Sequence, residues 1–205
     1  MQQVSIQDPD APAEAAATLH AGGVILYPTD TLYGLGADAL SDNAVAKINA
    51  IKGRDEKKPI HAIVADIEMA AKYGEINEIA FALACAYMPG PLTLILKKKA
   101  GVDTGIAKGI DTIGIRIPND AFCLALAKEF GRPITTTSAN KAGVQPERSV
   151  TGIMEQLGDN ARLIDLAIDG GELPERLPST VVDVSNGEIR ILREGAIPAG
   201  AILAS

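Results

Sequence analysis

The sequence predicts an α/β fold on a mixed sheet, with parallel and antiparallel strand pairs and helices covering it. Three observations predict it. Short β-branched runs alternate with stretches of helical periodicity throughout the chain. Several neighbouring strands are separated by a helix, as a crossover connection requires. Asn186-Gly187 instead lies between two apolar runs, a strong signal for an antiparallel hairpin.

The elements follow in order. Residues 12–21 read as a helix stopped by Gly22-Gly23, since glycine suits the left-handed cap. Val24–Tyr27 is a strand. Residues 42–52 form a helix with Ser41 as N-cap, and Val45, Ile48 and Ile51 recur at helical spacing. Ile60–Val64 is a strand, and residues 67–73 and 76–87 are helical. Pro89-Gly90-Pro91 breaks that run, and Leu92–Leu96 leaves it as a strand. Thr112–Ile117 is a strand ended by Pro118. Residues 120–130 form a helix with Cys123, Leu126, Ala127 and Phe130 on one face. Ile134–Thr137 is a strand, 149–157 a helix and Leu163–Leu166 a short strand. Val181–Val184 and Ile189–Leu192 flank the hairpin turn. With no repeat and no linker-like stretch, the expectation is one domain over residues 1–205 with its core at about 12–198.

Composition narrows the class. Hydrophobic residues make up 47%, yet no apolar run approaches the roughly 20 residues that span a bilayer. The opening Met1-Gln2-Gln3-Val4-Ser5 lacks the regions of a signal peptide. A soluble, cytoplasmic protein with no membrane partner is expected. Cys85 and Cys123 form no C-x-x-C pair and are expected to be buried, reduced thiols. With His20 and His61 they offer no metal-ligand spacing, so no metal site is expected. A net charge of −7 argues against a surface that grips nucleic acid everywhere. Two local islands run the other way. Lys47, Lys52, Arg54, Lys57 and Lys58 outnumber Asp55 and Glu56, and Lys97, Lys98 and Lys99 form a knot. Such islands are anion sites or solvated rims, and charge alone leaves both open.

Short polar side chains gather at three places: Pro28-Thr29-Asp30-Thr31, Thr135-Thr136-Thr137-Ser138-Ala139-Asn140 and Pro178-Ser179-Thr180. Open α/β sheets bind ligands beyond the carboxyl ends of strands, and small hydroxyls and amides suit a polar ligand there. The alternatives are β-propensity for Thr135–Thr137 and a cap or turn for Ser138 and Asn140. Lys52-Gly53-Arg54 reads as a close anion approach or as cations ending a helix. Arg116 lies in an apolar strand and needs a partner, a ligand or a path to solvent, and Arg193 repeats the situation. There is no G-x-x-x-x-G-K-[ST], no G-x-G-x-x-G after a strand and no G-x-S-x-G elbow. From the residues alone, the chain is a soluble α/β protein with a polar, anion-binding cleft.

Taken together, these segments resemble the YrdC-like family of threonylcarbamoyl-AMP synthases. The resemblance starts at Gly23-Val24-Ile25-Leu26-Tyr27-Pro28-Thr29-Asp30-Thr31-Leu32-Tyr33-Gly34-Leu35-Gly36. It continues through Lys52-Gly53-Arg54, Pro89-Gly90-Pro91-Leu92-Thr93 and Ile113-Gly114-Ile115-Arg116-Ile117-Pro118. Ser138-Ala139-Asn140, Ser179-Thr180-Val181-Val182-Asp183 and Leu192-Arg193-Glu194-Gly195-Ala196-Ile197 complete it in the family's order. The resemblance is to the short, single-domain form. It implies a twisted mixed sheet of YrdC/RibB-like type with a concave basic cavity. It also implies condensation of L-threonine, bicarbonate and ATP, expected with Mg²⁺, into threonylcarbamoyl-AMP and pyrophosphate. The threonylcarbamoyl group would pass to tRNA through a separate transferase complex, and weak tRNA binding is a further expectation.

Carried over by motif, Lys52 and Arg54 hold the ATP phosphates and carry catalysis, and Thr112, Asn140, Ser149 and Arg193 contact the nucleotide. Thr31, His61, Arg116, Ser138 and Ser179 hold threonine, with Arg116 a natural partner for its carboxylate. For His61, the position in a strand supports a structural role as well. Two residues depart from the family's pattern: Asp55 stands where many members have proline, and Ala142-Gly143 where many have Ser-Gly. Two other readings stay open. One is an RNA-binding module without chemistry; the other is a sibling carbamoyl-adenylate enzyme with another substrate.

Overall fold

The computed structural model describes residues 1–53 and 59–204. Its strands are β1 (Gln2–Ser5), β2 (Ile25–Tyr27), β3 (Gly34–Gly36), β4 (His61–Ile63), β5 (Leu92–Lys97), β6 (Thr112–Arg116), β7 (Ile134–Ser138), β8 (Leu166–Asp169), β9 (Thr180–Asp183) and β10 (Arg190–Arg193). They form one sheet in the order β1-β8-β2-β3-β7-β4-β6-β5-β9-β10. The pairs β1/β8, β2/β8, β4/β6 and β5/β9 are parallel, and the other five are antiparallel. The sheet is mixed, as the sequence predicts.

The helices are α1 (Ala11–His20), α2 (Asp42–Lys52), α3 (Ile67–Tyr73), α4 (Glu78–Tyr87), α5 (Ala121–Phe130), α6 (Val150–Leu157) and α7 (Ala199–Leu203). Most begin where a short polar side chain caps a free N–H. Ser41, Asp66, Asn77, Asp120 and Ser149 accept from Ala44, Met69, Ala80, Cys123 and Gly152. Gly53 ends α2 in the left-handed region, at φ 57°. The glycine between Lys52 and Arg54 therefore terminates a helix.

Alternation along the strands divides the apolar residues between two faces. Leu26, Ala62, Val64 and Ala167 join one cluster, packed by α2, α3, α4 and α6. Ile25, Tyr27, Ile63, Ile134, Leu166 and Ile168 join the other, covered by α1 and α5. Five helices serve the first face once α7's Ile202 is included. Two serve the second, and the rest of that face stays open.

Several elements differ from expectation. The strand expected at Leu163–Leu166 begins three residues later, because a 3₁₀ helix runs over Gly158–Leu163. Asp165 then turns its carboxylate back onto the Val24 N–H. The strand β3 escapes pattern reading because two of its three residues are glycine. The strand β1 is mostly exposed and polar, and α7 is a single short turn after the hairpin. Of the two cysteines expected to be buried, only Cys123 is; Cys85 is exposed. The buried positions of α4 are Ala80, Leu83 and Ala84, so Cys85 falls past the edge of its apolar stripe.

Burial pushes the Tyr27 phenol far above the usual range, with Cys123 adding to it, and burial also raises Tyr33 and Tyr73. Unfolded tyrosines ionise near pH ~10. Above that pH the unfolded chain releases protons that the folded chain keeps, so stability must fall. Urea unfolding across alkaline pH should show a stability plateau that declines above pH ~10. Native tyrosines titrating as free phenols would contradict this.

Candidate functional site

The open part of the second face is a cavity of about 920 Å³, at the upper end of the roughly 300–1,000 Å³ usual for ligand sites. Its wall includes Lys52, Arg116, Arg148, Arg176 and Arg193 against two carboxylates, Glu147 and Glu175. On a chain of net charge −7, such a concentration of cations marks a site for negative charge. The expected concave basic cavity is present.

Sheet register sets its length. His61 pairs with Gly114 on one side and Thr136 on the other, while Ile63 pairs with Arg116 and Ile134. Because β7 runs antiparallel to β4, Arg116 ends one strand and Ser138 ends another at opposite levels. Four strand positions separate Ile134 from Ser138, roughly 13 Å along the sheet. The cavity therefore lies across the sheet face, not only beyond the carboxyl ends.

At one end sits Lys52, 4% exposed. Its ammonium donates to the Ser138 carbonyl, to the Asn140 carbonyl at 2.9 Å and to Asn140 Oδ1 at 3.0 Å. Ser138 Oγ also donates to Asn140 Oδ1 at 2.5 Å, and Asn140 Nδ2 donates to the Val144 carbonyl. The expected Ser138/Asn140 turn and the expected lysine site are thus one assembly. These bonds use the three N–H groups of the ammonium, so Lys52 offers the cavity its charge.

At the other level Arg116 is 3% exposed. It pairs with Asp30 at 2.5 Å, donates from Nη1 to Thr31 Oγ1 at 2.9 Å and from Nε to the Gly90 carbonyl at 3.0 Å. The expected charged residue in an apolar strand has both a structural partner and a place on the cavity wall. Arg193 donates to the Ser179 carbonyl at 2.7 Å and to Ser179 Oγ at 3.1 Å, and Ser179 Oγ lies 2.9 Å from Thr93 Oγ1. Burial, and then the charge of Arg116, lowers the pKa of the Arg193 guanidinium. His61 opens β4 beside the cavity. A side chain on Gly114 would collide with its imidazole, so the glycine leaves room for the ring on the sheet face.

The structure brings Thr31, Lys52, His61, Arg116, Ser138, Asn140, Ser179 and Arg193 onto one wall. It does not bring Thr112 or Ser149 there. Thr112 stands four positions before Arg116, paired with Lys97, and Ser149 spends its hydroxyl capping α6. Arg54 lies outside the described residues. Thr135 is structural: its hydroxyl accepts from the Ala37 N–H and donates to the Leu35 carbonyl. Sequence reasoning missed Arg148 and Arg176, which sit in loops without a local signal. Arg148 pairs with Glu172 at 2.6 Å and accepts the Leu173 N–H at 2.8 Å, joining two loops of the cavity wall. Tyr33 was also missed; its hydroxyl donates to the Gly171 carbonyl and accepts from the Gly170 N–H.

Every buried side-chain nitrogen and oxygen among the described residues has a partner. Asn140→Ala removes an acceptor from a buried ammonium, so it should cost about 1–3 kcal/mol of stability by urea unfolding. An unchanged midpoint and slope would contradict the Lys52 assembly.

Comparison with known proteins identifies the family. The family model of the Sua5/YciO/YrdC domain, described as telomere recombination, matches residues 17–195. A putative threonylcarbamoyl-AMP synthase of Methanocaldococcus jannaschii is 38% identical over 86% of this chain and 82% of its own. A threonylcarbamoyl-AMP synthase of Pyrococcus abyssi is 38% identical over 90% of this chain, which spans 54% of that protein. The solved structure of P. abyssi Sua5 complexed with L-threonine superposes at a TM-score of 0.89 and 35% identity, covering 99% of this chain and 59% of its own. Escherichia coli YciO superposes at 0.84 and 28% identity, covering 98% and 97%. Sequence and fold agree over nearly the whole length, and the chain belongs to the Sua5/YciO/YrdC family.

Proposed function

We propose that this protein is a cytoplasmic threonylcarbamoyl-AMP synthase. It joins L-threonine, bicarbonate and ATP as a nucleotidyltransferase, and its product feeds a separate complex that modifies tRNA. The observation that carries the reading is the presence of two buried cations, Lys52 and Arg116, on the wall of one cavity. The threonine complex of the P. abyssi relative supports it.

Arg116 receives the threonine carboxylate. A guanidinium has five N–H donors, and three are engaged, so one remains on each terminal nitrogen for a forked contact. Thr31, Ser138, Ser179 and His61 surround the amino acid. Lys52, Arg54, Asn140 and Arg193 serve the nucleotide, with Lys52 acting as a point charge on the phosphates. Thr112 and Ser149 stand off the wall, so the reading rests on the others.

The threonine amine and bicarbonate give N-carboxythreonine and water. An oxygen of the new carboxylate attacks the α-phosphorus of ATP in line. The bond from the α-phosphorus to the bridging oxygen breaks, and pyrophosphate carries that electron pair away. Positioning and cationic stabilisation supply the rate, since the described residues of the cavity include no activated nucleophile. Mg²⁺, bound with the triphosphate as part of the substrate, would neutralise part of its charge. Among the described residues no group of three or more His, Cys, Asp or Glu could hold a metal.

Pyrophosphate release should require ATP, threonine and bicarbonate together, each omission abolishing it. Lys52→Ala and Arg54→Ala should each lower turnover by roughly 10²–10³-fold. Release without threonine, or near-normal turnover in both variants, would sink the reading. RNA binding with a steep salt dependence and no pyrophosphate would favour a binding module instead.

A further inference from the structure

We infer that Asp30 sets the charge of the amino-acid end of the cavity, so that this end selects a zwitterionic carboxylate over a bare anion. The inference rests on the functional reading above and adds a residue outside the expected site.

A cavity with five cations on its wall faces a sorting problem. A triphosphate, pyrophosphate or bicarbonate is drawn to any of them. An amino acid carries no net charge, so the general field does not attract it. Arg116 is cancelled at close range by a buried carboxylate. Its partner Asp30 has a side chain only 11% exposed, and the pair lies at 2.5 Å. By contrast, Arg193 donates only to the carbonyl and hydroxyl of Ser179. The paired Arg116 keeps two N–H donors but presents little net charge. Such a site still offers a carboxylate its forked hydrogen bonds. It gives a polyanion no reason to leave Arg193, which has no carboxylate partner among the described residues.

Asp30 is itself firmly placed. Its other carboxylate oxygen accepts the Asn119 N–H at 3.1 Å, and its carbonyl accepts from Arg176 at 2.8 Å. Its carboxylate does not line the large cavity, whereas Arg116 and Thr31 do. It borders a smaller hollow that shares Thr31 with the large cavity. Asp30 therefore acts through Arg116 and is a positioning residue.

The test compares binding of L-threonine, 3-hydroxybutanoate and inorganic pyrophosphate by calorimetry. 3-Hydroxybutanoate retains the carboxylate and hydroxyl of threonine but lacks the ammonium. Wild type should prefer threonine over this analogue by at least roughly tenfold, a modest effect for one neighbouring charge. Asp30→Asn keeps an acceptor for Arg116 but removes the charge. It should narrow that preference about tenfold. Excess ATP or pyrophosphate should then compete with threonine, raising KM for threonine while KM for ATP holds. Asp30→Glu should restore the preference. A folded Asp30→Asn variant with wild-type preference would overturn the inference. So would a wild type that binds threonine and the analogue equally, a result that needs no variant to fold. A wild type that binds ATP but not threonine would overturn the functional reading, and this inference with it.

Discussion

A lysine ammonium taken out of water must be met by oxygens, and much of the site follows from that requirement at Lys52. The residue ends α2, where Gly53 turns the chain away. Its ammonium meets oxygens of Ser138 and Asn140, 86 and 88 residues downstream. Satisfying one buried charge therefore joins the last turn of a helix to the loop that follows β7. The Lys52 carbonyl adds a second tie by accepting the Ala142 N–H at 3.1 Å. Such a bundle adds little net stability, because desolvation offsets the attraction. What it supplies is a fixed position for positive charge on the wall of a cavity.

Uneven covering of the sheet makes room for that cavity. One face is packed along its length by helices, and the other carries only α1 and α5. The uncovered strands present His61, Gly114, Arg116 and Thr136 instead of apolar side chains. Polar residues there need partners as the apolar ones need packing, and they find them in neighbouring loops. Arg116 reaches back to Asp30, Thr31 and Gly90, and Ser179 is held between Thr93 and Arg193. The loops are thereby fixed by the residues that would meet a ligand.

The helices were legible in the sequence because their signals are local. Ser41 caps α2 as read, and the face of Cys123, Leu126, Ala127 and Phe130 is buried as read. The Asn186-Gly187 hairpin is present between β9 and β10. Elements set by distant pairing were harder to see. The glycines of β3 carry no pattern, and β1 is recognisable only from its parallel partner β8. At the site, sequence reading named residues that the fold gathers on one wall and left open how they act. Lys52-Gly53-Arg54 read as an approach to an anion or as cations ending a helix, and Gly53 does end α2. Arg116 looked torn between a partner and a ligand, and a five-donor group has capacity for both. Arg148 and Arg176 gave no warning, since nothing local distinguishes a cavity arginine from a surface one.

The central claim is that one cavity takes a nucleotide and an amino acid side by side. A crystal structure with L-threonine and a non-hydrolysable ATP analogue tests it most directly. The account predicts the threonine carboxylate forked on Arg116, the phosphates near Lys52, and the amine within reach of the α-phosphate through one bridging carboxyl group. Ligands bound in separate hollows, or a threonine held away from Arg116, would contradict it.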